Sequence, residues 1–228
     1  MQFKDLVDEF RIDIYDNIGS YEDEINTKEI QEKLENANGK PLAIHINSGG
    51  GEVFEGFAIY NLLKGYEGQK TTYIDGLAGS IASVIALSGD KVIMNQASMF
   101  MIHNAWGGCF GNAEEMRQVA NALEQVNEVI KAIYVKKTNL SKEELTELMD
   151  KESFITPEDC LKYGFCDEVI DGQAVDKEPS LNNLLDSINK KLETMNKLKE
   201  LPKAETPKEE PKKNKTKAFM AHFLREEI

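Results

Sequence analysis

Three short stretches of this 228-residue chain carry residue types that acyl-transfer chemistry uses. In YIDGLAGSIASVIALSGD (73–90) a strand-like opening turns on Gly76 and Gly79 and then runs small and apolar, with one hydroxyl, Ser80, at the bend. In MIHNAWGG (101–108) an apolar run ends on His103, 23 positions after Ser80. A serine hydroxyl becomes a useful nucleophile when a base of near-neutral pKa takes its proton, and imidazole is such a base. INSGGG (46–51) is a second strand-turn-helix junction, whose glycines let a backbone amide approach a reacting carbonyl closely. Each feature has a plainer alternative. Ser80 can be a helix N-cap, the glycine triplet a tight turn, and His103 a hydrogen-bonded core histidine. Of the other two histidines, His45 sits within an apolar strand just before the turn and His222 lies beyond a Pro-rich segment, so neither is favoured as the base.

The elements that must position these residues follow from periodicity. Strands are expected at RIDIYD (11–16), PLAIHIN (41–47), KTTYIDG (70–76), KVIMNQ (91–96), SMFMIHN (98–104) and CDEVID (166–171). Helices are expected at 26–39, capped by Asn26 or Thr27 and ended by Gly39, and at 52–66, with Phe54, Phe57, Ala58 and Leu62 on one side. A further helix follows Ser80. The stretch 113–138 reads as one long helix with apolar spacing from Met116 through Val119, Ala120, Leu123, Val126, Ile130 and Ile133 to Tyr134. SKEELTELMD (141–150) opens on a capping box, Ser141 to Glu144, and TPEDCLKYG (156–164) has Pro157 in its first turn. Strands alternating with helices imply an α/β domain over residues 1–171.

Composition narrows the function classes. The first 171 residues carry 30 Asp+Glu against 15 Lys+Arg, which argues against nucleic acid as a partner. No apolar run reaches the roughly eighteen residues of a membrane span, and the acidic, mixed start does not read as a signal peptide. Cys109, Cys160 and Cys166 are an odd set without metal-ligand spacing and read as reduced thiols of a cytoplasmic protein; no metal or cofactor is expected. After Gly172 the character changes. Residues 172–228 hold four of the six prolines, a helical Leu/Ile/Met pattern at 181–201, a charged Pro-rich linker at 202–217 and a short amphipathic end, and read as a flexible C-terminal tail.

INSGGG, GLAGSIAS, MIHN and DKESFITPEDCLKYGFCDEVID, in that order, resemble the Clp protease proteolytic subunit (ClpP) family over roughly residues 10–171. The family pattern runs I-N-S-P-G-G, then G-x-A-x-S-x-[GA]-[SA], then M-I-H. VFEGFAIYNLLK, YIDGLAGSIASVIALSGD and GNAEEM are most similar to its phage-encoded branch of head maturation (prohead) proteases. The resemblance implies a ClpP/crotonase-like spiral of ββα units and a serine-type endopeptidase. It implies Ser80 as nucleophile, His103 as general base, and the backbone N–H groups of Gly51 and Ile81 as the oxyanion hole. The family's third member is an aspartate two residues before a phenylalanine; here Glu152 of DKESF stands there, one methylene longer, with Asp150 as its rival. Gly49 stands where the family has proline. The implied partners are peptide and protein substrates, a homo-oligomeric ring, phage scaffold and capsid proteins inside a procapsid, or a Clp ATPase. No long N-terminal extension is evident for docking such an ATPase. Two rivals are a non-catalytic scaffolding protein on this fold and a crotonase-type acyl-CoA enzyme; the latter would need the oxyanion geometry but not the Ser/His pair.

The tail has too few large apolar residues to offset its ordering entropy as a core. Truncation after Asp171 is therefore expected to leave a folded, hydrolytically competent body of unchanged oligomer mass. Limited proteolysis and sizing of the truncated chain check this; loss of solubility, assembly mass or hydrolysis would make the tail structural.

Overall fold

The computed structural model describes residues 9–21 and 23–171; the tail beyond Asp171 lies outside the described residues. Among the described residues, seven strands and six helices follow one another as β1 (Phe10–Ile14), α1 (Thr27–Ala37), β2 (Leu42–Ser48), α2 (Val53–Gly65), β3 (Lys70–Gly79), α3 (Ile81–Ala86), β4 (Lys91–Asn95), β5 (Met99–Ile102), α4 (Ala113–Lys137), α5 (Lys142–Asp150), β6 (Ser153–Ile155), α6 (Pro157–Tyr163) and β7 (Glu168–Ile170). The fold is α/β, as the alternation of patterns implied. Helix starts are set by side chains that satisfy otherwise orphaned N–H groups. Asn26 accepts from Glu29 N, Ser141 and Asn112 close full capping boxes, and Thr156 accepts from Asp159 N ahead of Pro157. Helix α1 ends on left-handed Asn38, followed by left-handed Gly39.

The strands β1-β2-β3-β4-β7 form a parallel run in that order. Register puts Ile12, Ile44, Thr72 and Val92 on one line across the sheet, all completely buried, and Asp13, His45, Tyr73, Ile93 and Glu168 on the next. The period-2 alternation thus sorts the chain into a helix-covered inner face and a more polar outer face. Ile14, Ile46, Ile74 and Met94 complete the inner layer, and Ile30 of α1 and Ile59 and Leu63 of α2 are buried in the same core. The apolar side read for α2 is only partly its buried side. Val53, Gly56, Ile59 and Leu63 face the core, while Phe54 is 52% exposed and only edge-packs on Phe57.

Strand β3 is longer than its pattern suggested, because it bends and changes partner. Its first half pairs β4 through Thr71–Ile74, and its second half pairs β5, Leu77 to Met99 and Gly79 to Met101. At the bend the β2 register slips between Ile46 and Ser48, and Asn47 Oδ1 accepts from Leu77 N at 3.1 Å, filling the gap in the ladder. A Cβ on Gly76 would stand 2.5 Å from that same Oδ1, so a side chain there would displace the Asn47 amide from its bond to Leu77. Strand β6 is an element the sequence reading missed. Three residues are too few to show a period, yet they pair antiparallel with β5, Phe100 to Ile155 and Ile102 to Ser153.

On the outer face His45 Nδ1 lies 2.7 Å from Asp75 Oδ2, with its ring stacked on Tyr73. Tyr15 O–H donates to the same carboxylate oxygen at 2.5 Å, and Asn95 Nδ2 donates to Oδ1 at 3.0 Å. Burial pushes the Asp75 pKa up, but the hydrogen bonds from His45 and Tyr15 and the nearby charges of His45 and Arg11 together hold it below the ordinary aspartate value. A carboxyl depressed in the folded state adds stability that is full above its unfolded pKa, near 4, and is lost as pH falls through the folded value. Asp75→Asn should therefore lower the urea midpoint at pH 7 and flatten its decline below about pH 4. Parallel acid limbs for variant and wild type would remove this role.

Candidate active site

Strand pairing brings the serine and the histidine together. Gly79 of β3 pairs Met101 of β5, and Ser80 N donates to Met101 O at 2.9 Å. His103 follows two residues beyond, and its Nε2 lies 2.7 Å from Ser80 Oγ. Ser80 occupies the N-cap position of α3, yet its side chain makes no capping bond. Its hydroxyl therefore meets the imidazole instead of closing the helix.

The backbone at Ser80 is unusual, with φ 50° and ψ −126°, outside the regions that L-residues favour. Such a setting costs on the order of 1–3 kcal/mol and persists only where surrounding bonds over-determine it. Here both flanking peptides are held: Ser80 N on Met101 O, and Ser80 O by Ser83 N at 3.0 Å and Ser83 Oγ at 2.5 Å. Net contributions of roughly 0.5–1.5 kcal/mol per hydrogen bond are enough to offset the strain.

The glycine turn closes over this elbow. A Cβ on Gly50 (φ +113°) would stand 2.7 Å from Ser80 Cβ and 3.2 Å from Ile81 N, and one on Gly51 (φ +143°) would stand 1.9 Å from Ile18 O. Ile18 straps the turn: its N–H donates to Gly50 O and its carbonyl accepts from Glu52 N. Because the peptides on either side of Gly51 bond Ile18, the Gly51 N–H points away from that strap. Ser48 Oγ donates to Asp16 O at 2.7 Å and accepts from Gly50 N at 3.2 Å, fixing the turn from beneath. Ile81 is the first residue of α3, so its N–H has no intrahelical acceptor.

The two candidate carboxylates lie at the join of α5 and β6. Continuing the β5–β6 register one residue past Ile102 and Ser153 sets Glu152 opposite His103. Glu152 is exposed, has φ 49°, and its N–H donates to Met149 O at 3.1 Å; its carboxylate forms no ion pair with the imidazole in this structure. Asp150 Oδ1 accepts from Asn104 Nδ2 at 2.7 Å, which ties the residue after His103 to the end of α5. Asn127 of α4 holds the next residue by accepting from Ala105 N at 2.8 Å.

The remaining sequence candidates fall away from this cluster. His45 belongs to the outer-face network, and His222 lies outside the described residues. All three cysteines are free thiols; burial pushes Cys160 up strongly and Cys166 to about 11, which keeps both protonated. Among the described residues no group of His, Cys, Asp and Glu is placed to hold a metal, and no helix is long and apolar enough to cross a membrane. Sequence reasoning missed Gly50, Asn47, Ile18 and Ser83. Only Gly50 carried a signal, as the middle of a triplet with no room for a side chain.

Comparison with known proteins bears on the fold and the family. The chain is 35% identical over 134 residues to the ATP-dependent Clp protease proteolytic subunit of Deinococcus radiodurans, a stretch covering 57% of this chain and 65% of that one. A solved ClpP1 mutant from Listeria monocytogenes, 22% identical, superposes with a TM-score of 0.63 over 74% of this chain and 95% of that chain, so the fold is shared. The profile of the Clp protease family matches residues 2–173, a span that includes both glycine-rich junctions, the histidine strand and the α5–β6 join. The chain belongs to the Clp protease family.

Proposed function

We propose that this protein is a serine peptidase of the ClpP type, working as a proteolytic subunit. The observation that carries the reading is the 2.7 Å approach of His103 Nε2 to a serine hydroxyl that does not cap its helix. Ser80 Oγ attacks the scissile carbonyl while its proton passes to His103 Nε2. The tetrahedral oxyanion is met by Gly51 N–H and Ile81 N–H, donors of a kind worth roughly 3–4 kcal/mol each in the rate-limiting barrier. The imidazolium then protonates the leaving amine, and a water activated by the same nitrogen releases the acyl group from Ser80. With Nε2 accepting from Ser80, Nδ1 carries the imidazole proton, and a carboxylate is needed to hold that tautomer. Glu152 takes this part, because the β5–β6 register sets it opposite His103 and Asp150 is already engaged by Asn104.

The Deinococcus relative is named as an ATP-dependent subunit, which favours an unfoldase ATPase and a homo-oligomeric assembly as partners here. Capsid maturation, suggested by the phage-like wording of 53–90, has no support from these relatives and stands second. ATP-stimulated degradation of a folded protein, added to basal cleavage of small peptides, separates the first from the second. A scaffolding role without catalysis would leave the Ser80–His103 geometry without use.

Two sets of variants check these roles. Ser80→Ala should abolish peptide hydrolysis and labelling by a fluorophosphonate, with a loss on the order of 10³–10⁶ in kcat. Undiminished turnover in the purified variant would end the serine-peptidase reading. Glu152→Gln should stay folded and lose much of kcat, while Asp150→Asn should be mild. A dead Asp150→Asn beside a fully active Glu152→Gln would exchange the two assignments.

A further inference from the structure

Tyr134 is fully buried on α4, and its hydroxyl lies 2.7 Å from Ser83 Oγ, 51 residues away in sequence. Ser83 Oγ lies 2.5 Å from the carbonyl oxygen of Ser80. Chemistry fixes the direction of both bonds. A carbonyl only accepts, so Ser83 gives its one proton to Ser80 O. Ser83 Oγ then has only lone pairs to offer, and Tyr134 O–H must be the donor. Burial raises the phenol pKa far above its ordinary value, which keeps that proton in place.

The Ser80 carbonyl and the Ile81 N–H are the two ends of one planar trans peptide and point in opposite directions. A bond that fixes the oxygen therefore fixes where the N–H points. It also polarises the peptide and makes that N–H a stronger donor. We propose that Tyr134 and Ser83 are positioning residues for the Ile81 N–H, a two-hydroxyl relay from α4 that aims and strengthens one oxyanion donor. This deepens the peptidase reading above and rests on it. Neither side chain touches the reacting atoms. The relay acts through the peptide, so its effect belongs to the transition state and not to substrate binding.

The test is a double-mutant cycle in the full chain, read as kcat and KM on a fluorogenic peptide and as inhibition by a peptide boronate, which forms a tetrahedral adduct on Ser80. Tyr134→Phe should lower kcat by roughly 10-fold, less than outright removal of an oxyanion donor, with KM unchanged. Boronate affinity should fall in parallel. Ser83→Ala should lose at least as much, and adding Tyr134→Phe to it should cost nothing more, because the tyrosine acts only through Ser83. Ile130→Ala, a buried change on the same helix outside the relay, should reduce thermal stability while the folded enzyme keeps its kcat. Wild-type kcat in Tyr134→Phe, a rise in KM alone, or multiplying effects of the two variants would overturn the proposal. If the wild type neither cleaves peptide nor reacts with a fluorophosphonate, the peptidase reading fails by itself. The relay is then read from the Ser80 carbonyl-carbon and Ile81 amide-proton NMR shifts. Both should move in Tyr134→Phe; unmoved shifts would refute it.

Discussion

The arrangement depends on how closely two strand-to-helix junctions approach each other. The turn at 49–51 and the elbow at 79–81 meet backbone against backbone, at distances that leave no room for a Cβ on Gly50 or Gly79. The inner sheet face, the Asn47 patch in the β3 bend and the Ile18 strap all lead into this contact. It places the Gly51 and Ile81 amides near one serine, and a looser junction would separate them. Gly56 extends the same constraint outward. A Cβ there would run into the Ile81 side chain at 2.2 Å, so α2 is seated directly on the start of α3.

Much of this was legible because it is local. A glycine triplet after an apolar strand, a hydroxyl at a strand-to-helix bend and a capping box each declare a backbone conformation within a few residues. Ser141–Glu144, Asn26 and Pro157 act where the sequence placed them. What was not legible depends on partners far away in the chain. Phe54 was grouped by helical spacing with Phe57, Ala58 and Leu62, but α2 is seated with Gly56 against Ile81 and Phe54 lies outward. Tyr134 fitted the apolar spacing of its helix, and nothing near it announced a hydroxyl partner on α3. The candidate carboxylate was ambiguous in sequence because Asp150 and Glu152 stand two residues apart. The proposed choice between them leans on the β5–β6 register, which no sequence pattern announced.

The two faces of the sheet solve different problems. Apart from Thr72, the inner face carries apolar side chains of zero exposure, and strand parity is enough to specify them. The outer face carries His45, Asp75, Tyr15 and Asn95 in a connected set, where each polar atom's position is fixed by the next. A histidine and an aspartate 2.7 Å apart would look like part of a reaction centre if found in isolation. The bend of β3 separates this pair from Ser80, since Asp75 precedes it and the elbow follows. Proximity of types is therefore a weaker guide than which half of a strand a residue occupies.

Strand β6 has a consequence for how the site is held together over time. Ser80 and His103 are tied by β3–β5 pairing inside the core, whereas the segment that carries Glu152 hangs on a ladder of three residues preceded by that left-handed, exposed residue. Segments with few ladder bonds and high exposure open at a small fraction of the global unfolding free energy. Amides of Ser153–Ile155 would then exchange with solvent well before those of Ile74 or Ile85. An excursion of this arm carries Glu152 away from the β5 edge while leaving the Ser80–His103 contact intact. The fold thus separates a permanent Ser80–His103 contact from a neighbouring arm that is in place only as often as a short edge strand stays zipped.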